Sequence, residues 1–521
     1  MKYVYKEREL FDDALSRAGQ NFLDKKRIAV YGTGSGGGKV YKYLVDEGLI
    51  GNLVAFIDRD DSPMIGKQLH EVIIGRLDDF ITQIDALLVA AEVHHHEIVQ
   101  RLHDRIDENG ITAIDMFETR YGTKEIMEYV SYLEDIQYKK SGDYIEIDND
   151  EYKGNRWDTK VIAWYLPQFY VTDYNNRFHG MGFTEWTNSS KTLPQFCGHY
   201  QPHIPYHCGY YDLSNYKSIK RQAEIAKRYG IYGFAIHYYW FNETTRMLDT
   251  PIRLLLDNKD IDINYMINWA TEDWSMEWDD SFQKWNFSDS FIKQELPKDT
   301  EAFFDELLPY FRDNRYIKIN GMPVFSVYKC DIFLKSDFKR FTVELRQCAE
   351  KRGIAGIYIM ISTGSHCFDE DVEEWGADAL VEYQPNYMCV ANSLEKLYPR
   401  GYINPHFNGV ILDTSDFFER RRYLSRHKSN EFFRCAVTAW DNTARRATSG
   451  ARIVWGISPK VLEIWLADLM DESKKIHDSE KDYVFVSSWN EWAEGSHLEP
   501  DMRYGYAWLK AVRNALEYSR K

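Results

Sequence analysis

The sequence predicts an α/β protein in two parts, a small doubly wound Rossmann-like domain followed by a (β/α)8 TIM barrel, and three observations carry that reading. A strand, a glycine turn and a helix follow one another between Lys26 and Leu44. From Val161 onward, eight short apolar segments alternate with amphipathic helical stretches. Nearly all eight end in a polar or aromatic residue, as expected where strand ends converge on one mouth.

In the first part, over residues 1–140, the buried strand Lys26-Arg-Ile-Ala-Val precedes Tyr31-Gly-Thr-Gly-Ser-Gly-Gly-Gly and a helix with Val40, Tyr41 and Leu44 on one face. Gly32, Gly34 and Gly37 satisfy GxGxxG, and a second strand over 53–57 ends in Asp58, where a ribose partner would sit. Further strands over 86–90 and 112–115 complete a doubly wound sheet. The turn has two readings: a nucleotide or sugar-nucleotide site, or a structural turn packing helix on strand. His94-His95-His96 reads as a solvated helix start rather than a metal site, because three adjacent histidines cannot all face one ion. Residues 141–160 are polar and aperiodic, and read as a linker.

The second part, residues 161–521, carries strands over 161–166, 233–239, 264–269, 324–328, 356–362, 379–383, 433–439 and 483–488. Helix signals separate them. Ser214 opens one helix that Gly230 closes; Gly353 closes another with Phe338, Phe341, Leu345 and Cys348 inward; Ser458-Pro459 starts a third with Leu462, Trp465, Leu466 and Leu469 inward.

Composition narrows the function. A length of 521 residues exceeds what one hydrophobic core serves, and 44% hydrophobic with 28% charged residues describes a globular chain without a membrane span. The start lacks an apolar signal core, and seven scattered cysteines suit reduced thiols, so a cytoplasmic location is expected. A net charge of -17 argues against a nucleic-acid partner. Aromatic residues cluster between Tyr165 and Trp278, as a glycan site requires, or as well-packed loops would also give.

The strand ends supply Gln168; His237 and Tyr238; Asn268 and Trp269 with Glu272 nearby; Tyr328; Glu382 and Gln384; Trp440-Asp441-Asn442; and Asn490-Glu491-Trp492-Ala493-Glu494. Glu491 and Glu494 stand one turn apart, close enough to straddle one glycosidic bond. Mutual repulsion and the bulk of Trp489 and Trp492 should keep one carboxyl protonated and leave the other ionised, the division of labour glycosidic chemistry needs.

Several stretches share a resemblance: Trp164-Tyr-Leu-Pro-Gln-Phe, Gly182-Phe-Thr-Glu-Trp-Thr-Asn, Gly198-His-Tyr-Gln-Pro, Gly209-Tyr-Tyr-Asp-Leu, Tyr229-Gly-Ile-Tyr-Gly-Phe, His237-Tyr-Tyr-Trp-Phe, Trp440-Asp-Asn-Thr-Ala-Arg-Arg and Asn490-Glu-Trp-Ala-Glu-Gly. On them, the region from Val161 onward resembles the WbsX family, a glycoside hydrolase family 99-like group often described as glycosyltransferases of lipopolysaccharide or capsule biosynthesis. The resemblance implies retaining cleavage of an α-mannoside- or rhamnoside-like bond through the sugar's own 2-hydroxyl, with Glu491 as the base, Glu494 as the acid/base, and no metal or cofactor required. The strand ends together with these stretches predict sugar contacts from Tyr165, Gln168, Glu185, Trp186, His237, Tyr238, Asn268, Trp269, Tyr328, Gln384, Trp440, Asn442, Asn490, Trp492 and His497, and the resemblance implies an oligosaccharide or polysaccharide intermediate as the partner. Glycosyl transfer and non-catalytic glycan binding are the alternatives. Where relatives carry an arginine pair, this chain has Thr271-Glu-Asp-Trp-Ser-Met-Glu-Trp-Asp279, a departure that removes two cations from one subsite.

Overall fold

The computed structural model describes residues 4–19, 22–24, 26–92, 95–118, 140–154, 158–274, 291–362, 371–391, 394–399, 401, 403–404, 406–424, 431–446 and 450–519. The chain divides into two units, one comprising residues 1–131, 194–199 and 395–408, the other residues 132–193, 200–394 and 409–521.

In the first unit, Ile28–Tyr31 is the central strand of a parallel sheet, flanked by Leu53–Ile57 and Val72–Gly75 on one side and by Ala86–Val89 and Thr112–Asp115 on the other. That order is the doubly wound one. Alternation buries both faces: Ile28, Val30 and Leu88 join one apolar cluster, Ala29, Tyr31, Leu87 and Val89 another. The helix His95–Glu108 follows Ala86–Val89. His95 is not a solvated start: it is buried, and its Nδ1 lies 2.5 Å from the Asp115 carboxylate. His94 lies outside the described residues.

In the second unit, eight parallel strands close into a barrel: Lys160–Tyr165, Ile231–Asn242, Asn264–Ala270, Met322–Tyr328, Tyr358–Ser362, Ala379–Val381, an interrupted seventh (Phe432–Phe433 and Cys435–Val437) and Tyr483–Ser487. The first half of the seventh strand pairs with the sixth and the second half with the eighth, and the eighth pairs with the first. At the interruption, Arg434 turns its guanidinium to Glu382 and Glu472. Two of the helix signals hold and one shifts by a residue. Asn215, not Ser214, caps Tyr216–Arg228, accepting from the Lys217 N–H at 3.1 Å; Lys335–Lys351 buries Phe338, Phe341, Leu345 and Cys348, and Ser458 Oγ caps Pro459–Ile476 by accepting from the Val461 N–H at 3.3 Å.

The segment that reads as a linker is tied down. Ser141 N–H donates to the Arg503 carbonyl at 2.8 Å, Ile145 N–H to Tyr504 at 3.1 Å, and Tyr152 N–H to Arg228 at 2.9 Å. Those bonds use backbone groups, which side-chain composition does not report. Among the described residues, no helix is long and apolar enough to cross a membrane.

Candidate active site

Past the eighth strand the chain makes a tight hairpin. Asn490–Glu491 pairs antiparallel with Ser496–His497, and a 3-10 turn, Trp492–Glu494, joins them. Gly495 ends the turn at φ +61°, where a Cβ would press on Asp441 and His203. Side chains anchor the hairpin from below. The Asn490 amide clasps the Leu166 backbone, accepting from its N–H at 2.8 Å and donating to its carbonyl at 2.9 Å. Ser488 donates to the Ser496 carbonyl at 2.6 Å and accepts from the Glu491 N–H at 2.9 Å. Trp492 stacks on His497 with centroids 3.8 Å apart and donates to Glu499 at 2.7 Å. Glu499 also accepts from Tyr211 and Gln222, and burial pushes its carboxyl up to about 7.

The hairpin thereby turns Glu491 and Glu494 into a cavity of about 820 Å³ at the carboxyl ends of the strands. The two carboxyl groups face the same cavity, close enough for the charge of one to disfavour ionisation of the other. Burial raises both above the ordinary carboxylate range, Glu491 furthest, because Glu494 repels its charged form as well. Arg445 breaks the symmetry. Its Nη1 lies 2.6 Å from Glu494 but 3.9 Å from Glu491, so the guanidinium favours the charged form of Glu494 more, and Glu491 holds its proton the more strongly of the two. On its other edge the guanidinium donates to Glu185 at 3.0 Å. Asp441 positions this arginine by accepting from the Thr443 N–H and hydroxyl at 3.0 and 2.7 Å, fixing the short helix Thr443–Arg446.

The remaining wall mixes aromatic faces with polar groups. Burial lowers His237 to about 4, so the ring is neutral and presents hydrogen-bonding nitrogens rather than a charge. Gln168 donates to the Tyr239 hydroxyl at 3.0 Å. Trp274 lies parallel to Tyr239 and Tyr174, giving a flat aromatic wall. Lys329, Arg446 and Arg452 place cations on the lining, although residues 275–279, half of the stretch lacking the family's arginines, lie outside the described residues.

Of the expected sugar contacts, Gln168, His237, Tyr328, Trp440 and Asn442 line this cavity beside Glu491 and Glu494. The others do not. Strand alternation sends Tyr165 outward to Gln222, Tyr238 outward to Glu306 and Trp269 outward against Phe303 and Phe341, so that Tyr239, not Tyr238, joins His237 on the inner face. Asn268 and Gln384 are buried beneath the wall. Glu185 is held by Arg445, and Trp186 donates to the Tyr211 carbonyl at 2.7 Å while packing on Trp492. Asn490, Trp492 and His497 hold the hairpin. The residues that strand-end reading missed are Arg445, Tyr239, Tyr383 and Trp274. Arg445 shows in the sequence only as a cation three residues beyond a strand-end Asp-Asn, and Tyr239 through the period of two from His237.

At the glycine turn, Gly32 has φ +116°, and a Cβ on Gly37 would lie 2.1 Å from the Gly32 carbonyl, so these two are required by the turn and by helix–strand contact. Gly34 faces open space. Asp58 accepts from Thr33 at 2.6 Å, Ser62 at 2.9 Å and the Arg59 N–H at 2.8 Å.

The profile of the family described as glycosyltransferase WbsX matches residues 161–512. WxcX proteins of two strains of Xanthomonas campestris pv. campestris, described as uncharacterized, are 33% identical over 360 residues, 68% of this chain and 49% of theirs. The chain thus spans about half the length of the curated relatives it matches. Among solved structures, the GH99 endo-α-mannosidase from Bacteroides thetaiotaomicron aligns at 12% identity over 71% of this chain and 98% of its own, with a TM-score of 0.42. A glycoside hydrolase-like protein aligns at 13% identity over 72% and 98%, also at 0.42.

Proposed function

This chain belongs to the WbsX family, and from that premise we propose that it is a carbohydrate-active enzyme that cleaves an α-mannoside- or rhamnoside-like bond with retention, in surface-polysaccharide metabolism. The observation that carries the reading is that one tight turn brings Glu491 and Glu494 together onto the lining of a polar, aromatic-walled cavity, each within reach of the other's charge. Carboxyl groups that flank a sugar from opposite sides stand about 5–5.5 Å apart in retaining and about 6.5–9.5 Å apart in inverting glycosidases. A pair carried by one short turn on the same side of the cavity instead suits two neighbouring atoms of one sugar: the 2-hydroxyl and the glycosidic oxygen on the adjacent carbon.

In the resting pair Glu491 holds the proton. As the sugar enters, that proton passes to Glu494, leaving Glu491 as carboxylate. Glu491 then takes the proton of the 2-hydroxyl, whose oxygen attacks C1 from the face opposite the leaving group. The C1–oxygen bond breaks, Glu494 protonates the departing oxygen, and a 1,2-anhydro sugar remains. Water, deprotonated by Glu494, opens that ring at C1, and Glu491 returns the proton to O2. Each carboxyl ends as it began the chemical steps, and two inversions give retention. Neutral His237 and the Gln168–Tyr239 pair supply hydrogen bonds to hydroxyls, and Arg445 keeps Glu494 near the ionised form between steps.

The family description favours a second reading, glycosyl transfer to a polysaccharide intermediate, which uses the same pair with a sugar hydroxyl in place of water. One experiment serves both: offer α-mannosides and α-rhamnosides, their 2-deoxy analogues, and sugar nucleotides with lipid-linked acceptors. Cleavage that disappears with the 2-deoxy analogues supports the first reading. Chain growth tied to nucleotide release would replace it with the second, and binding without turnover of either would leave a glycan-binding protein.

A further inference from the structure

Behind the catalytic hairpin, away from the cavity, lie three buried side chains that the proposed chemistry does not use: His203, His497 and Asp501. One ligand-type atom from each lies within 4.8 Å of the other two. His203 Nδ1 and His497 Nε2 are 2.9 Å apart, and His497 Nε2 is 3.7 Å from Asp501 Oδ2. Ligand atoms of a tetrahedral zinc ion stand about 3.3 Å from one another, as follows from bonds of roughly 2.0–2.1 Å. The observed spacings bracket that value.

Two further features favour a cation over a chain of hydrogen bonds. His497 Nδ1 donates to the Glu499 carbonyl at 2.9 Å, which fixes the tautomer and leaves the Nε2 lone pair facing the cluster, the outer-sphere arrangement usual for a metal-bound imidazole. Asp501 is fully buried, and only one of its oxygens is engaged: Oδ1 accepts from the Arg503 and Tyr504 N–H groups, while Oδ2, aimed at His497, has no hydrogen-bond partner. A buried carboxylate oxygen without a partner is costly, and a cation answers it.

We infer that His203, His497 and Asp501 form a binding site for a divalent transition cation, Zn²⁺ by ligand set, that ties the hairpin bearing Glu491 and Glu494 to the segment around His203. Coordination through Nδ1 requires His203 to carry its proton on Nε2. The ion is structural: none of its three ligands lines the cavity.

The test uses the full chain without a histidine tag, stripped with a chelator and titrated with Zn²⁺ or Co²⁺. The expected result is about one tightly held equivalent, a rise in Tm on binding, and Co²⁺ visible absorption of tetrahedral intensity. Asp501→Asn and His203→Gln should each lose the equivalent, an effect larger than the ~10–100-fold carried by outer-sphere partners. Wild-type protein that retains no Zn²⁺ after gel filtration and gives no Co²⁺ band overturns the site, whether or not the variants fold. Equal Zn²⁺ binding by wild type and Asp501→Asn overturns it too, because the ion then sits elsewhere.

Discussion

The glycine turn of the first unit and the hairpin of the second both set carboxyl groups beyond the ends of parallel strands, yet they treat the proton in opposite ways. Burial would raise Asp58, but hydrogen bonds from Thr33, the Arg59 backbone and Ser62 outweigh it and hold the group below its ordinary value. Glu491 has burial and a like charge, with Arg445 too far to compensate, and keeps its proton. Donors from the local chain make Asp58 an anion with its acceptors engaged. Their scarcity makes Glu491 an acid facing a cavity. The difference teaches that residue type at a strand end says little about chemistry until the donors around it are counted.

The strongest way to break the contrast is to neutralise each group. Glu491→Gln and Glu494→Gln should each lower kcat by about 10³-fold or more while glycan affinity is kept, and Asp58→Asn should leave turnover unchanged. Full activity in both glutamine variants, measured by steady-state kinetics and binding calorimetry, would dissolve the catalytic assignment.

Next comes packing. Gly37→Ala should destabilise the first unit by about 3 kcal/mol, because its Cβ meets the Gly32 carbonyl, whereas Gly34→Ala, with open space, should cost under about 1 kcal/mol. Chemical denaturation of the two variants compares them. Because Gly34→Ala spares the fold, loss of nucleotide or sugar-nucleotide binding in it would identify the turn as a ligand site, and absence of binding in wild type would leave the turn structural.

Glu499 sharpens the comparison through pH. Its folded-state carboxyl, near 7, lies above the unfolded value of about 4.3, so its contribution is complete below pH ~4 and is lost as pH rises toward 7. The stability advantage of wild type over Glu499→Gln should therefore shrink by about 2.5 kcal/mol between pH 5 and pH 8, as followed by urea unfolding. A gap that stays constant or widens would mean that Glu499 is ionised throughout.

The smallest effect concerns Arg445. Its charge lowers both members of the pair, so Arg445→Met should move the acid limb of the pH–rate profile upward by about 1 unit, with a modest loss of kcat. An unmoved limb would show that the guanidinium does not set the resting protonation.

Much of the barrel was legible because its strands are short apolar runs whose ends change character. Val161, Val324, Ala379 and Tyr483 mark strands that the structure builds, and Ser458-Pro459 marks a helix start. Side-chain direction was less legible. Reading both neighbours at each strand end placed Tyr238 and Trp269 in the mouth, whereas a period of two keeps only one of each adjacent pair inside. His95 failed for another reason: its partner Asp115 is 20 residues away, and polarity alone suggested solvent.

By itself, the sequence determined the alternation of strands and helices, the family, and the proximity of Glu491 to Glu494, all of which depend on residues near one another along the chain. Only the tertiary structure decided which carboxyl holds the proton, because that depends on Arg445 arriving from 46 positions before Glu491, and which aromatic rings face the cavity rather than the helices. Charge interactions and burial act through space, and chain order does not encode their distances.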